Sequence, residues 1–234
     1  YKAMDANTTG NYNVAIGYSS LAANTTASNN TAVGHSALYA NTIGTQNVAI
    51  GDGALVDNTT ASYNTAVGYL ALTNNTTASN NTAMGWQAGT TNTTGASNTF
   101  LGQYSGAANT TGNYNTAVGA LSLDANTTAD NNTAVGYQAL TAATIGHSNV
   151  AVGALAGDAI TTGDENVAVG YGALSAATTN NNNTAIGSMA MALSAASNSV
   201  AVGMDALAAN TTGGNNVAVG RIAGTNVTTG ADNV

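Results

Sequence analysis

The chain has 234 residues, of which only 5% are charged, and its formal charge of -8 comes from ten acids against Lys2 and Arg221. Two basic residues cannot neutralise a row of phosphates, so the composition excludes nucleic acid as a partner and argues against an anionic membrane surface. With 44% apolar residues, no Pro and no Cys, the chain fits neither a disordered segment nor a disulfide scaffold, and no apolar run predicts membrane insertion.

An internal repeat of seventeen residues organises the whole chain. The segment Asn13–Gly17, Asn-Val-Ala-Ile-Gly, returns with Val or Thr second and an aliphatic residue fourth, and only the interval before Ser199 is one residue shorter. The glycines that close the thirteen copies are Gly17, Gly34, Gly51, Gly68, Gly85, Gly102, Gly119, Gly136, Gly153, Gly170, Gly187, Gly203 and Gly220. Such a period is typical of solenoids, in which each repeat forms one coil that stacks on its neighbours.

The repeat predicts the fold class directly. We expect an all-β protein, a parallel β-solenoid or β-roll with one 17-residue repeat per coil and about 14 coils. We also expect a single repeat domain over residues 1–234, cut from a longer fibrous protein.

Positions 1 to 5 of the repeat, counted from its first Asn, form the first predicted strand. Val or Thr at position 2 and the aliphatic residue at position 4 share one face of that strand, whereas Ala at position 3 and Gly at position 5 share the other. Phe100 is the one exception at position 3. We expect the branched face to lie in the core of the coil and the bare face to be buried against another chain.

Position 6 follows the strand and carries a row of aromatic residues, with small or polar residues between them. The row consists of Tyr1, Tyr18, His35, Tyr69, Trp86, Tyr137 and Tyr171. Because Tyr and Trp give amphipathic contact area, the row could contact a glycan or a receptor. The alternative, which the sequence alone favours, is packing between coils or chains.

Positions 8 and 9, Ala then Leu in many copies, predict a second strand, as at Ala37-Leu38 and Ala139-Leu140. Asn-Thr-Thr followed by Gly or Ala then predicts a turn and is also a glycosylation sequon. The sequon asparagines are Asn7, Asn24, Asn58, Asn75, Asn92, Asn109, Asn126 and Asn210. Either they carry glycans along one edge, or they form an internal Asn ladder within a turn.

No catalytic, cofactor or metal site is visible. His35 stands at position 6 and His147 at position 16, so the two histidines belong to different parts of the coil. The carboxylates of Asp130 and of Asp164-Glu165 lack the spacing of a calcium loop. We therefore predict that the chain is not an enzyme and needs no cofactor or metal.

At its Asn-Val-Ala-Ile-Gly core the chain resembles the head repeats of trimeric autotransporter adhesins. The segment Asn198–Gly203, Asn-Ser-Val-Ala-Val-Gly, is the copy nearest to that family's Asn-Ser-Val-Ala-Ile-Gly motif. The longer pattern of Asn64–Leu72, followed by Asn75-Thr76-Thr77, is similar to repeat regions of phage tail-fibre proteins. The resemblance implies a left-handed parallel β-roll, usually a trimer, displayed on a cell or a virion.

We accordingly expect an extracellular structural fibre or adhesin segment with multivalent surface attachment. Its partners would be itself, as a homotrimer or an end-to-end filament, and a host-cell receptor or glycan. Two alternatives stay open: an ice-binding β-solenoid that uses its Thr rows, and the subunit of a self-polymerising surface filament.

Overall fold

A computed structural model of the chain describes residues 2–234, which form one short strand per repeat and contain no helix. The strands are β1 Val14–Ile16, β2 Thr31–Val33, β3 Val48–Ile50, β4 Thr65–Val67, β5 Thr82–Met84, β6 Thr99–Leu101, β7 Thr116–Val118, β8 Thr133–Val135, β9 Val150–Val152, β10 Val167–Val169, β11 Thr184–Ile186, β12 Val200–Val202 and β13 Val217–Val219. Each strand covers positions 2 to 4 of its repeat. The predicted all-β parallel solenoid is confirmed. No helix that could cross a membrane occurs within residues 2–234.

The chain forms two compact units that divide between Asn115 and Thr116. In the first unit, β1 to β6 pair in chain order, and every pair is parallel. In the second unit, β7 to β13 do the same. The shorter repeat keeps this register, because Thr184 pairs with Val200 and the missing residue falls between Ser194 and Ala196.

The interior of each coil holds the Ala of position 3, and the expectation that positions 2 and 4 face the core is wrong. Ala32 and Ala66 have no exposed area, whereas Ile50 is 39% exposed and Met84 46%. The reason is the narrowness of the coil. A Cβ placed at Gly224, at position 9 of the last coil, would lie 3.4 Å from the Ala218 Cβ at position 3. With position 9 so close, only a methyl group fits beneath the strand, and the branched side chains must face outward.

The coils with Gly at position 9 show that position 9 shares its space with other positions of the coil. Phe100 replaces Ala at position 3, and position 9 is Gly in its own coil and in the coil before, at Gly106 and Gly89. A Cβ on Gly89 would lie 2.6 Å from Phe100 Cδ2, so the ring fills the volume that Leu fills elsewhere. A Cβ on Gly157 would lie 3.0 Å from Ile160 Cδ1, so Ile160, which is buried at position 12, fills the space beside this glycine.

The second predicted strand, at positions 8 and 9, is wrong: these residues form a turn. The residues at positions 7, 9 and 17 have left-handed backbone, with φ of 53° at Ser36 and 54° at Leu38. A residue in that region turns the chain sharply, so an extended strand cannot continue through it. The side chains of position 9 nevertheless point inward, and Leu38 and Leu72 are fully buried.

Candidate functional site

The aromatic row of position 6 lies on the outside of the coils. In the first unit it comprises Tyr18, His35, Tyr69 and Trp86, and in the second it comprises Tyr137 and Tyr171; all six are exposed. Tyr1, at the start of the same row in the sequence, lies outside the described residues. The row therefore contributes nothing to the interior of either unit.

Neighbouring members of this row stack in pairs. The Tyr18 and His35 rings lie 5.6 Å apart at 9°, and the Tyr69 and Trp86 rings lie 6.3 Å apart at 13°. Tyr104 meets Trp86 edge to face at 4.6 Å. Stacking between coils, which the sequence predicted, is thus present for four of the rings. Sequence reasoning missed Tyr104, although it follows Trp86 by eighteen residues and so stands on the next coil at position 7.

Polar side chains occupy the same row beside each pair. Asp52 stands one coil after His35, and its Oδ1 lies 3.1 Å from His35 Nδ1. Gln103 stands one coil after Trp86 and is exposed. The order in the first unit is therefore ring, ring, polar, twice over. Asp52 and Gln103 were not among the site residues predicted from the sequence, although both stand at position 6.

The backbone beneath the row is held coil to coil. The N–H of Leu70 donates to the carbonyl of Asp52 at 2.9 Å, and the N–H of Gln87 donates to that of Tyr69 at 2.9 Å. The N–H of Tyr104 donates to the carbonyl of Trp86 at 3.0 Å. Because each bond joins position 7 to position 6 of the coil before, the spacing of the rings is fixed by the backbone.

The sequon asparagines of position 12 lie inside the coils. Asn24, Asn58, Asn75, Asn92, Asn109, Asn126 and Asn210 are fully buried, and Asn7 is half-buried. Asn24 Nδ2 donates to Asn7 Oδ1 at 2.8 Å and to the Ala27 carbonyl at 3.0 Å. A glycan on such a nitrogen would have to break this column open. The internal ladder, which the sequence offered as the alternative to glycosylation, is the geometry observed.

A second column runs through the Asn of position 1. The backbone N–H of Asn30 donates to Asn13 Oδ1 at 2.9 Å, and Asn13 Nδ2 donates to the Ala27 carbonyl at 2.8 Å. The two Asn columns thus converge on the same carbonyl at position 15. Since buried polar groups are costly unless hydrogen-bonded, this pairing is what allows Asn in the interior.

The two Thr of each sequon have different surroundings. At position 13, Thr25 Oγ1 donates to the Thr42 carbonyl of the next coil at 3.2 Å, and Thr59 Oγ1 does the same to Thr76 at 3.1 Å. At position 14 the side chains are exposed, as at Thr60. The Thr at position 13 therefore links its coil to the backbone of the next coil. The Thr at position 14 forms an outer column that Ile43 interrupts.

The outer face of the sheet, defined by positions 2 and 4, is apolar and carries no charge. It holds only Thr and Val at position 2 and only Val, Ile, Met and Leu at position 4. Nothing within either unit covers it. Large uncovered apolar faces of this kind usually mark contact surfaces.

His147 and Asp158 are titratable groups outside the aromatic row whose surroundings are set by the coils. His147 Nδ1 accepts the backbone N–H of Asp130 at 2.9 Å, so this ring supports the coil before it. Burial raises the pKa of the Asp158 carboxyl above its ordinary value, against hydrogen bonds from the backbone N–H groups of Asp158 and Ala159. Within residues 2–234 no three His, Cys, Asp or Glu side chains are placed to hold a metal ion.

Comparison with known proteins gave no match to a family model, a curated protein or a solved structure.

Proposed function

We propose that this chain is a segment of an extracellular structural fibre or adhesin whose outer sheet face packs against other copies of itself. The observation that carries the proposal is the uncharged, uncovered face of positions 2 and 4. At about 3.3 Å per residue and about 4.8 Å per coil, three strand residues present roughly 50 Å² per coil, or about 300 Å² over six coils. That area is about the size of the largest apolar patch on a typical monomeric protein, and such patches are often functional.

A second copy of the chain is the occupant that best fits this face. Its strands would carry the same residues at the same spacing, so branched side chains could interdigitate coil by coil. A partner that approached by charge would find no charged residue at positions 2 or 4. The resemblance of the Asn-Val-Ala-Ile-Gly core to adhesin heads supports a homotrimer and an extracellular setting.

The test is the mass of the chain in solution, by light scattering over a range of concentrations. We expect a closed oligomer, and we expect Val67→Lys, at position 4, to give a folded monomer. Thr77→Lys is the matched control, because position 14 is exposed and lies off the sheet face. A wild-type chain that stays monomeric throughout would contradict the proposal, whereas mass that grows without limit would support the end-to-end filament instead.

The ice-binding alternative has a narrower basis. Position 14 offers an outer column of Thr side chains, whereas the hydroxyls of position 13 donate to the backbone and position 2 mixes Thr with Val. A single column, broken by Ile43, gives little area on which to order water. A thermal-hysteresis measurement tests this alternative, and a result without activity would exclude ice binding.

A further inference from the structure

We propose that Tyr69 and Trp86, with Asp52 and Gln103 on the coils to either side, form a binding site for a neutral glycan. This inference names a ligand for the fibre and rests on the proposed function only for its biological setting. The site belongs to the first unit alone and would be present in a single chain.

The two rings offer the kind of surface that a sugar ring covers. They are nearly parallel, and they remain 46% and 41% exposed. Their centroids lie 6.3 Å apart, more than the ~4.8 Å between coils, so they overlap only in part. Both rings therefore keep exposed apolar surface, and the C–H groups of a hexose can lie against it.

The surface is preorganised. Tyr104 meets Trp86 edge to face, and hydrogen bonds join position 6 to position 7 across the coils that carry Asp52, Tyr69 and Trp86. Because these contacts exist without a ligand, binding would cost little ordering of the site.

Polar groups bracket the rings on both sides along the row. Asp52 accepts hydrogen bonds through a carboxylate whose Oδ1 is already positioned by His35. Gln103 offers an amide that both donates and accepts. Apolar ring faces with a few convergent polar groups are the usual composition of a small-ligand site, and sugar hydroxyls need both kinds of contact.

Charge narrows the ligand to a neutral glycan. The chain has a net charge of -8, its only Lys and Arg are Lys2 and Arg221, and the site itself contains a carboxylate. A sialylated or sulfated glycan would meet no Lys or Arg among Asp52, Tyr69, Trp86 and Gln103, and it would be repelled by Asp52.

The same arrangement occurs a second time in the first unit. Tyr18, His35 and Asp52 repeat the order ring, ring, polar, fifty-one residues before Tyr69, Trp86 and Gln103. Three coils separate the two sets, a distance of about 14 Å. One polysaccharide chain could therefore engage both sets, and weak contacts would add through multivalency.

Trp86 is the only tryptophan of the chain, so its fluorescence reports directly on this site. We would titrate the wild-type chain with maltohexaose, cellohexaose and N-acetylchitohexaose as neutral probes, and with sialyllactose and a heparin hexasaccharide as anionic ones. We expect saturable change in Trp86 emission with at least one neutral probe and none with the anionic probes. Tyr69→Ala should weaken that binding up to about tenfold, the loss of one aromatic stacking contact.

The matched control is Tyr63→Ala, because Tyr63 is exposed at position 17 and stacks on no ring among residues 2–234. Equal loss in both variants, or no response to any neutral probe, would overturn the proposal. So would a Tyr69→Ala variant that binds the neutral probe as the wild type does but loses oligomeric mass, since the row would then be a packing surface. Self-association is read from mass alone, so failure of glycan binding leaves the fibre proposal separately testable.

Discussion

Replacing Gly136 by Ala should damage the fold much more than the same change at Gly220. Both glycines stand at position 5, with φ of 136° and 129°, so Ala suffers a similar backbone strain at either place. Their surroundings differ. A methyl group on Gly136 would lie 2.5 Å from the carbonyl oxygen of Gly153 on the next coil, whereas on Gly220 the nearest atom would be Ala223 Cβ at 3.8 Å.

The size of the difference in the free energy of unfolding depends on which hydrogen bonds break when the coils move apart. To relieve the contact, the coil of Gly136 must part from the coil of Gly153, where the N–H of Gly153 donates to the Val135 carbonyl at 2.8 Å and the N–H of Leu155 donates to the Tyr137 carbonyl at 3.0 Å. Strain of about 1–3 kcal/mol applies to both variants, and loss of two hydrogen bonds adds about 2 kcal/mol to Gly136→Ala alone.

Urea denaturation followed by far-ultraviolet circular dichroism measures this difference in the free energy of unfolding. Amide hydrogen exchange then locates it, because each coil of a solenoid depends on its neighbours. If Gly136→Ala were no worse than Gly220→Ala, the coil spacing would not be set by contact at position 5.

Three other substitutions test the interior and the turns. Phe100→Ala should lower the free energy of unfolding by about 3–5 kcal/mol, and adding Gly106→Leu should restore part of it, because both residues fill one space. Asp158→Asn should raise the melting temperature at neutral pH but not below pH 3.8, the ordinary pKa of this carboxyl. Burial raises the pKa of the Asp158 carboxyl in the folded state. The free energy of unfolding of the wild-type chain therefore falls as pH rises from 3.8 through that raised pKa. Gln138→Gly should raise the free energy of unfolding by up to about 1 kcal/mol in urea denaturation, since its φ of 55° suits glycine.

Each of these has a control that should behave differently. Gly106→Leu alone should destabilise, since its side chain would run into the Phe100 ring. Asp124→Asn should bring no gain at neutral pH, because Asp124 Oδ1 accepts the Thr141 hydroxyl at 2.7 Å. Gln103→Gly should not stabilise, since Gln103 lacks a positive φ. Matching effects in a substitution and its control would contradict the reason given for that pair.

The period and the strand could be predicted from the sequence because they depend on local pattern. Val and Thr at position 2 favour extended backbone, and Gly at position 5 returns at every coil. Which face points inward could not be settled in that way, since a strand with Ala on one side and Val on the other fits either choice. The choice depends on how close position 9 comes to position 3, which is a property of the closed coil. The pairing of Phe100 with Gly89 and Gly106 was the one available signal.

The prediction of a strand instead of a turn at positions 8 and 9 was wrong for a related reason. Leu at position 9 is left-handed in coil after coil, as at Leu140 with a φ of 49°, although branched aliphatic residues avoid that region in isolation. Burial of the side chain compensates for the strain, and burial is a tertiary effect. In the candidate site, the aromatic row and the polar residues Asp52 and Gln103 could be found from their seventeen-residue spacing at position 6, but the contact of Tyr104 with Trp86 could not, because it depends on how neighbouring coils place their side chains.

The Asn columns give each stack a chemical direction. In the column of position 12, the amide nitrogen faces the earlier coil and the oxygen faces the later one, as between Asn41 Nδ2 and Asn24 Oδ1 at 3.1 Å. In the column of position 1, the oxygen of Asn13 also faces the later coil. The amide dipoles therefore align head to tail, and a coil turned over would place oxygen against oxygen in both columns. A coil can extend the stack in only one orientation, much as a monomer joins a polar polymer.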